Sequence, residues 1–268
     1  MTLPNPQDDD DRPIGRLLTR REALALFGTA AGGALLVACV PSLVTSPSSA
    51  ASASAGASAS PAASASGLPA CVVKPELTEG PYFVDEKLNR SDIRSDPGTG
   101  EVRPGTLLAL AFAVSRVGQG SCDPFEGVLV DVWHCDAQGT YSDVSDPRAG
   151  STLGQKFLRG YQVTDATGVA RFTTIYPGWY SGRAVHIHFK IRTDADADAG
   201  LEFTSQLFFD ESVTDTVHAR APYVSKGTRD TPNADDGIYQ QGGAQLLLAP
   251  TVDGDGYATM FEIGVQVD

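Results

Sequence analysis

His186-Ile187-His188 is the sharpest chemical feature of the sequence. It sits in the run Ala184-Val185-His186-Ile187-His188-Phe189-Lys190-Ile191, whose β-branched and aromatic content reads as a strand. Residues i and i+2 of a strand point to one face, with Cα atoms roughly 7 Å apart, so both imidazoles can grip a single metal ion. The chain has 4 histidines, and this spacing uses two of them. Six residues before His186 stands Tyr180, in the loop Pro177-Gly178-Trp179-Tyr180-Ser181-Gly182-Arg183, which is long enough to fold a phenol back toward the strand. Tyr141 lies in a second, polar loop, Asp136-Ala137-Gln138-Gly139-Thr140-Tyr141-Ser142-Asp143, which leaves the strand containing Trp133. Either tyrosine alone reads as a packing residue. Two phenols and two imidazoles together make a hard, anionic donor set. A phenol ionises near pH 10, so only a strong Lewis acid holds it as phenolate at neutral pH. Fe(III) does this well, whereas Zn(II) or Mg(II) seldom recruits two.

Two other readings compete. A zinc hydrolase or lyase would use His186, His188 and a third histidine, His134 or His218, with water in the fourth position. Neither third histidine is well spaced, and the tyrosines are then unexplained. A non-catalytic β-sandwich that binds a partner would need no metal at all.

The elements that must position these residues are strands. Alternating or β-rich segments run over Thr106–Val117, Gly127–Cys135, Gly160–Thr164, Val169–Ile175, Val185–Arg192, Glu202–Phe209, Gln245–Leu248 and Tyr257–Val267. Gly, Pro, Asp and Asn clusters separate them. One short helix is expected around Ser212–Ala219. The pattern predicts an all-β fold, a β-sandwich with long functional loops, over residues 71–268. Within it, Trp133 is expected in the core, and His134, on the opposite face, as hydrogen-bonded scaffold.

The segments Leu77-Thr78-Glu79-Gly80-Pro81-Tyr82-Phe83, Val130 to Ser142, Phe157-Leu158-Arg159-Gly160 and Pro177 to His188 occur in an order that resembles the intradiol ring-cleavage dioxygenase family. The likeness is strongest to its exported branch, related to the protocatechuate 3,4-dioxygenase β-subunit. It covers residues 71–268 and is densest from Leu77 to Lys190. The resemblance implies one Fe(III) per chain, held by Tyr141, Tyr180, His186 and His188, with Tyr180 leaving the metal when substrate chelates it. It implies Arg183 beside the substrate ring, Gln206 behind it, and Tyr82 and Trp179 on the pocket wall. The implied reaction opens catechol-type rings with O2 to muconic acids. This chain departs from the better-known members in the short gap of six residues between Tyr180 and His186.

The first 70 residues differ from the rest. Arg20-Arg21 precede a weakly apolar run, Ala23 to Ala38, about 16 residues long and short for a membrane span. This looks like a twin-arginine export signal. The run ends in Leu36-Val37-Ala38-Cys39, which resembles a lipobox, so residues 1–39 are expected to direct export and Cys39 to carry a lipid anchor at the cell surface. Residues 40–70 are rich in Ser, Ala and Pro and are expected to form a disordered linker, because they offer too little apolar surface to offset ordering entropy. Of the cysteines beyond Cys39, Cys122 and Cys135 flank a single short strand and are the expected disulfide couple in an exported protein, leaving Cys71 over. The formal charge is −13, which excludes the basic footprint a nucleic-acid partner needs. Removal of residues 1–38 takes four basic and five acidic residues, so the balance stays acidic.

Overall fold

The computed structural model describes residues 72–118, 121–146, 150–194 and 200–267. The export signal, the linker, Cys39 and Cys71 lie outside the described residues. Alternation of side chains builds two facing sheets. The strands of the first are β1 (Leu107–Gly118), β2 (Ser121–Pro124), β7 (Val169–Ile175), β11 (Thr251–Asp253) and β12 (Gly256–Gln266). Those of the second are β3 (Leu129–Trp133), β6 (Arg159–Val163), β8 (His186–Arg192), β9 (Glu202–Phe209) and β10 (Leu247–Leu248). A two-residue hairpin, β4 (Ser145–Asp146) with β5 (Gly150–Ser151), stands apart. In the first sheet β12 runs parallel along one edge of β1, while β7 and β2 share the other edge. The second sheet has the order β10-β9-β8-β3-β6. Phe112 of β1, Phe189 of β8 and Phe261 of β12 meet between the sheets with ring centroids 5.2–6.1 Å apart, and they mark the centre of the core.

The expected strands are present, with β7 and β9 at the predicted bounds, except that of Gln245–Leu248 only Leu247–Leu248 pairs as β10, Gln245 and Leu246 lying in a 3-10 turn (Gly243–Leu246). The helix α1 (Glu211–His218) begins where Asp210 accepts a hydrogen bond from the Ser212 amide, an ordinary N-cap. Strands β2, β4, β5 and β11 were not foreseen; each has four residues or fewer, too short to show a period.

Strand β8 explains where the functional face lies. Ile187, Phe189 and Ile191 point into the sandwich, so His186, His188, Lys190 and Arg192 point the other way, yet all seven residues are buried. The cover is the arm from Leu77 to Leu88, which crosses the outer face of the second sheet. It enters where the Leu77 amide donates to the Thr204 carbonyl on β9 (3.1 Å) and leaves where the Leu88 carbonyl accepts from the Tyr161 amide on β6 (2.8 Å). Between them Glu79 pairs with Lys190, Phe83 packs on Trp133 (4.8 Å between centroids) and Asp85 pairs with Arg192 (3.1 Å).

The cysteine expectation is corrected. Cys135 is a free, buried thiol, and Cys122 is disulfide-bonded to a partner outside the described residues. The reason is topological: Cys122 lies on β2 of the first sheet, whereas Cys135 follows β3 in the second and approaches the Gly178 carbonyl. Adjacency in sequence does not survive a change of sheet.

Candidate metal centre

Register brings three strands to one row on the covered face. Trp133 of β3 pairs with His188 of β8, and His188 pairs with Gln206 of β9. Paired residues point to the same face, so the Trp133 ring stacks on His188 (5.0 Å, 8° between planes). Trp133 is buried as expected, and it also fixes the plane of a site histidine.

Two loops deliver the tyrosines. After β3 the Asp136 side chain accepts from the Gln138 and Thr140 amides (2.9 and 3.0 Å), a local turn that sets the direction of Tyr141. After β7 the Tyr180 loop is pinned to that turn by the Gly178 amide, which donates to the Asp136 carbonyl (3.1 Å). Gly139 is required at their contact. Its φ is +78°, and a Cβ there would stand 2.1 Å from the Trp179 carbonyl oxygen. Gly80, on the covering arm, has φ +72° and lies so close to His188 that a Cβ would be 3.2 Å from Cε1.

The four predicted donors converge. The Tyr141 and Tyr180 hydroxyls each lie 3.3 Å from His186 Nε2, and His188 Nε2 lies 3.0 Å from the same atom. His186 Nδ1 must donate to the Ala184 carbonyl (2.7 Å), because a carbonyl only accepts; its Nε2 lone pair therefore faces the cluster. Desolvation, helped by the positive charge of Arg183, lowers the His186 pKa to about 3, and desolvation with His186 beside it lowers that of His188. Both rings are neutral, which is the ligand form. Desolvation raises the Tyr180 phenol to about 12, despite the nearby charge of Arg183, and raises Tyr141 well above the ordinary range, with Tyr180 adding to the effect. These hydroxyls would ionise near neutral pH only against a cation in their midst. Metal–ligand bonds of about 2.1 Å at angles near 90–110° put donor atoms about 3.0–3.4 Å apart, the spacing seen around His186 Nε2. The donor set therefore fits a small, hard, highly charged cation.

Beside the donors stands Arg183. Its Nη2 donates to Gln206 Oε1 (2.5 Å) and its Nε to Asp236 Oδ2 (3.0 Å). Gln206, fully buried, is fixed in turn by donating through Nε2 to the Thr78 carbonyl (2.8 Å). Tyr82 stacks on Tyr141 (4.4 Å, 21°) and meets Tyr180 edge-on (6.0 Å). Trp179, half-buried, packs against the main core cluster with Lys226 Nζ over its ring at 5.0 Å, so the structure brings Tyr82 but not the Trp179 ring against the donors.

Asp236 was missed in the sequence, where it is one of 33 acidic residues and stands in an ordinary loop. Its signal is burial without exposure of either oxygen, which only the fold supplies. Arg159 was quoted only within a motif. It is buried and fixes the backbone after Tyr141 by donating from Nε and Nη2 to the Ser142 carbonyl (3.1 and 2.6 Å).

Neither other histidine can complete a three-histidine zinc site. His134 uses both ring nitrogens, donating from Nδ1 to the Cys135 carbonyl (2.8 Å) and accepting at Nε2 from Thr174 (2.7 Å). His218 Nε2 bonds the Pro177 carbonyl (3.0 Å). Among the described residues no group of three or more His, Cys, Asp or Glu side chains is arranged to hold a metal. His134 is thus scaffold, as the sequence reading expected.

Burial lowers the His134 pKa from 6.5 to about 4. The unfolded chain binds a proton below about pH 6.5 while the folded protein does not, so stability is full above that pH and is lost on acidification toward pH 4. That interval corresponds to about 3 kcal/mol. Denaturant titrations between pH 6.5 and 4 are expected to show a shallower fall for His134→Gln than for wild type in the same metal state; equal slopes would contradict the buried neutral imidazole.

Comparison with known proteins agrees with this geometry. The Dioxygenase_C profile, described as dioxygenase, matches residues 78–231. Chlorocatechol 1,2-dioxygenase of Pseudomonas putida is 26% identical over 151 residues, covering 49% of this chain and 52% of the relative. The protocatechuate 3,4-dioxygenase beta chain of Burkholderia cepacia is 33% identical over 117 residues, covering 40% and 48%. The chain spans about half the length of the curated relatives it matches. Among solved structures, the intradiol ring-cleavage dioxygenase from Tetranychus urticae aligns with TM-score 0.63 at 29% identity, covering 73% of this chain and 95% of that one. The dioxygenase domain of a dioxygenase and carbohydrate-binding protein fusion from Streptomyces sp. SirexAA-E aligns with TM-score 0.51 at 26% identity, covering 74% and 100%. With a profile match over more than half its length and two tyrosines and two histidines meeting on the covered face of its sandwich, this chain belongs to the intradiol ring-cleavage dioxygenase family.

Proposed function

We propose that the protein is an Fe(III)-dependent intradiol dioxygenase that cleaves catechol-type rings between their hydroxyl-bearing carbons, giving muconic acids. The convergence of two phenols and a second neutral imidazole within 3.3 Å of His186 Nε2 carries this reading. One iron per chain is held by Tyr141, Tyr180, His186 and His188. Bound there, ferric iron supplies the Lewis acidity that takes up a catechol as its dianion and readies the ring for O2.

The chain's own residues do the rest. Tyr180 Oη accepts one of the protons the catechol loses; its ring is half-buried, so it can move more freely than Tyr141. Arg183 stabilises negative charge on the substrate ring, and Gln206 holds the guanidinium in place. Tyr82 is assigned to the pocket wall by its stacking on Tyr141, whereas Trp179, whose ring packs on the core beneath Lys226, is assigned a packing role. Both atoms of O2 enter the product: the bond between the two oxygen-bearing carbons breaks, each becomes a carboxyl carbon, and no external reductant is consumed.

The export signal and the lipid-bearing Cys39 belong to the same proposal: a catalytic domain tethered at the cell surface and acting on small catechols that reach it by diffusion. Purified protein loaded with iron is expected to contain one iron per chain, to show the burgundy colour of ferric tyrosinate, and to consume O2 with at least one member of a catechol panel, with muconate spectra appearing. A colourless protein holding zinc, or an iron-loaded one inert across the panel, would refute it.

A further inference from the structure

We infer that Asp236 is the positioning residue of this site: one buried carboxylate sets both the guanidinium of Arg183 and, through the backbone of Ala184, the ring of His186. The side chain of Asp236 is 0% exposed. Its Oδ2 accepts from Arg183 Nε (3.0 Å) and from the Ala184 amide (2.7 Å). Its Oδ1 accepts from the Ile238 and Tyr239 amides (2.7 and 3.0 Å). All of its roughly four lone-pair sites are thereby occupied, so the carboxylate cannot rotate without breaking several bonds. Asp236 lies beyond residue 231, where the family profile match ends, so the assignment comes from this chain's own loop.

The two outputs differ in kind. Toward Arg183, the carboxylate fixes Nε while Gln206 fixes Nη2. Among the described residues, Nη1 is then the guanidinium nitrogen not committed to the protein. Toward His186, anchoring the Ala184 amide places the Ala184 carbonyl where it accepts from His186 Nδ1 (2.7 Å). That bond decides the tautomer: with the proton on Nδ1, the Nε2 lone pair points at Tyr141, Tyr180 and His188. A single anion thus couples the group proposed to meet the substrate to a group proposed to hold the metal. An ordinary surface ion pair would do neither.

The inference rests on the iron reading of the four donors, but one arm of its test does not need iron. In the metal-free, isotope-labelled full chain, long-range proton–nitrogen correlation spectra report which ring nitrogen of His186 holds the proton. Wild type is expected to show Nδ1–H, and Asp236→Asn a mixture of both tautomers. In iron-loaded protein, Asp236→Asn is expected to weaken iron retention against a chelator about ten- to a hundredfold, the range for a lost partner behind a metal ligand. It is also expected to lower kcat about tenfold or more, with KM for catechol within about threefold of wild type. Asp235→Asn is the control. It neutralises the exposed carboxylate next to Asp236 on the same loop and is expected to leave tautomer and iron retention unchanged. If the amide is not tolerated, Asp236→Ser carries the same readings. Wild type found as Nε2–H overturns the inference whatever the variants do, and so does a folded Asp236 variant with wild-type tautomer, iron retention and kcat. If wild type takes up no iron, the iron reading fails and the tautomer arm still decides the role of Asp236.

Discussion

His188→Ala is expected to bleach the iron-loaded protein and abolish ring cleavage. His188 Nε2 stands 3.0 Å from His186 Nε2, and the ring is clamped between Trp133 and the covering arm at Gly80, so no neighbouring side chain can replace the lost nitrogen. Tyr141→Phe is the sharper companion because it removes one oxygen and keeps the ring. The stacking on Tyr82 at 4.4 Å should persist, and the metal-free variant is expected to unfold within about 1 kcal/mol of wild type. Its kcat is nevertheless expected to fall on the order of a thousandfold or more, as when a preorganised charge-stabilising element of an active site is lost. Iron content, the visible charge-transfer band and O2 uptake check both variants. Full activity in either would refute the ligand assignment.

Arg183→Met is the second large effect, and it should divide differently between stability and turnover. Burial works to raise the carboxyl of Asp236, but the charge of Arg183 and the backbone amides of Ala184 and Tyr239 outweigh it and hold Asp236 below the ordinary carboxylate range. Removing the guanidinium leaves a buried anion without its counter-charge, a change that costs about 3–5 kcal/mol in typical buried pairs. The three remaining amide donors place the expected loss toward the lower figure. The four donors are untouched, so the variant should still take up iron and keep its colour. Its kcat/KM is expected to drop about a hundred- to a thousandfold, because charge developing on the substrate ring loses its fixed counter-charge. A variant that retains iron and wild-type turnover would reduce Arg183 to a structural ion pair. The double variant Arg183→Met with Asp236→Asn separates the two effects: it should regain part of the stability and none of the turnover.

Much of the site was legible because its chemistry is local. His186 and His188 share a face by strand period alone, and Tyr180 is tied to them by a loop too short to carry it far. Strands β7 and β9 were found to the residue because they are long, β-rich and closed by turn residues. The partners that come from distant segments were not legible. Asp236 approaches Ala184 across 52 residues, and Leu77–Leu88 covers a sheet whose strands begin some 40 residues later. The expected Cys122–Cys135 couple failed for the same reason, since proximity in sequence says nothing about which sheet a segment joins.

Residue types and spacing by themselves put His186 and His188 on one strand face with Tyr180 within reach of them, because strand period and a short loop leave few other arrangements. That Tyr141 joins them, 45 residues from His186, the sequence carried only through its resemblance to a known family. Only the tertiary structure decided that the histidine face is buried, that the imidazoles are neutral with Nε2 turned to the phenols, and that one distant carboxylate orders Arg183 and His186 together. Burial and tautomer depend on what covers a strand, and that is set by long-range register and by the crossing arm, neither of which leaves a mark on local sequence.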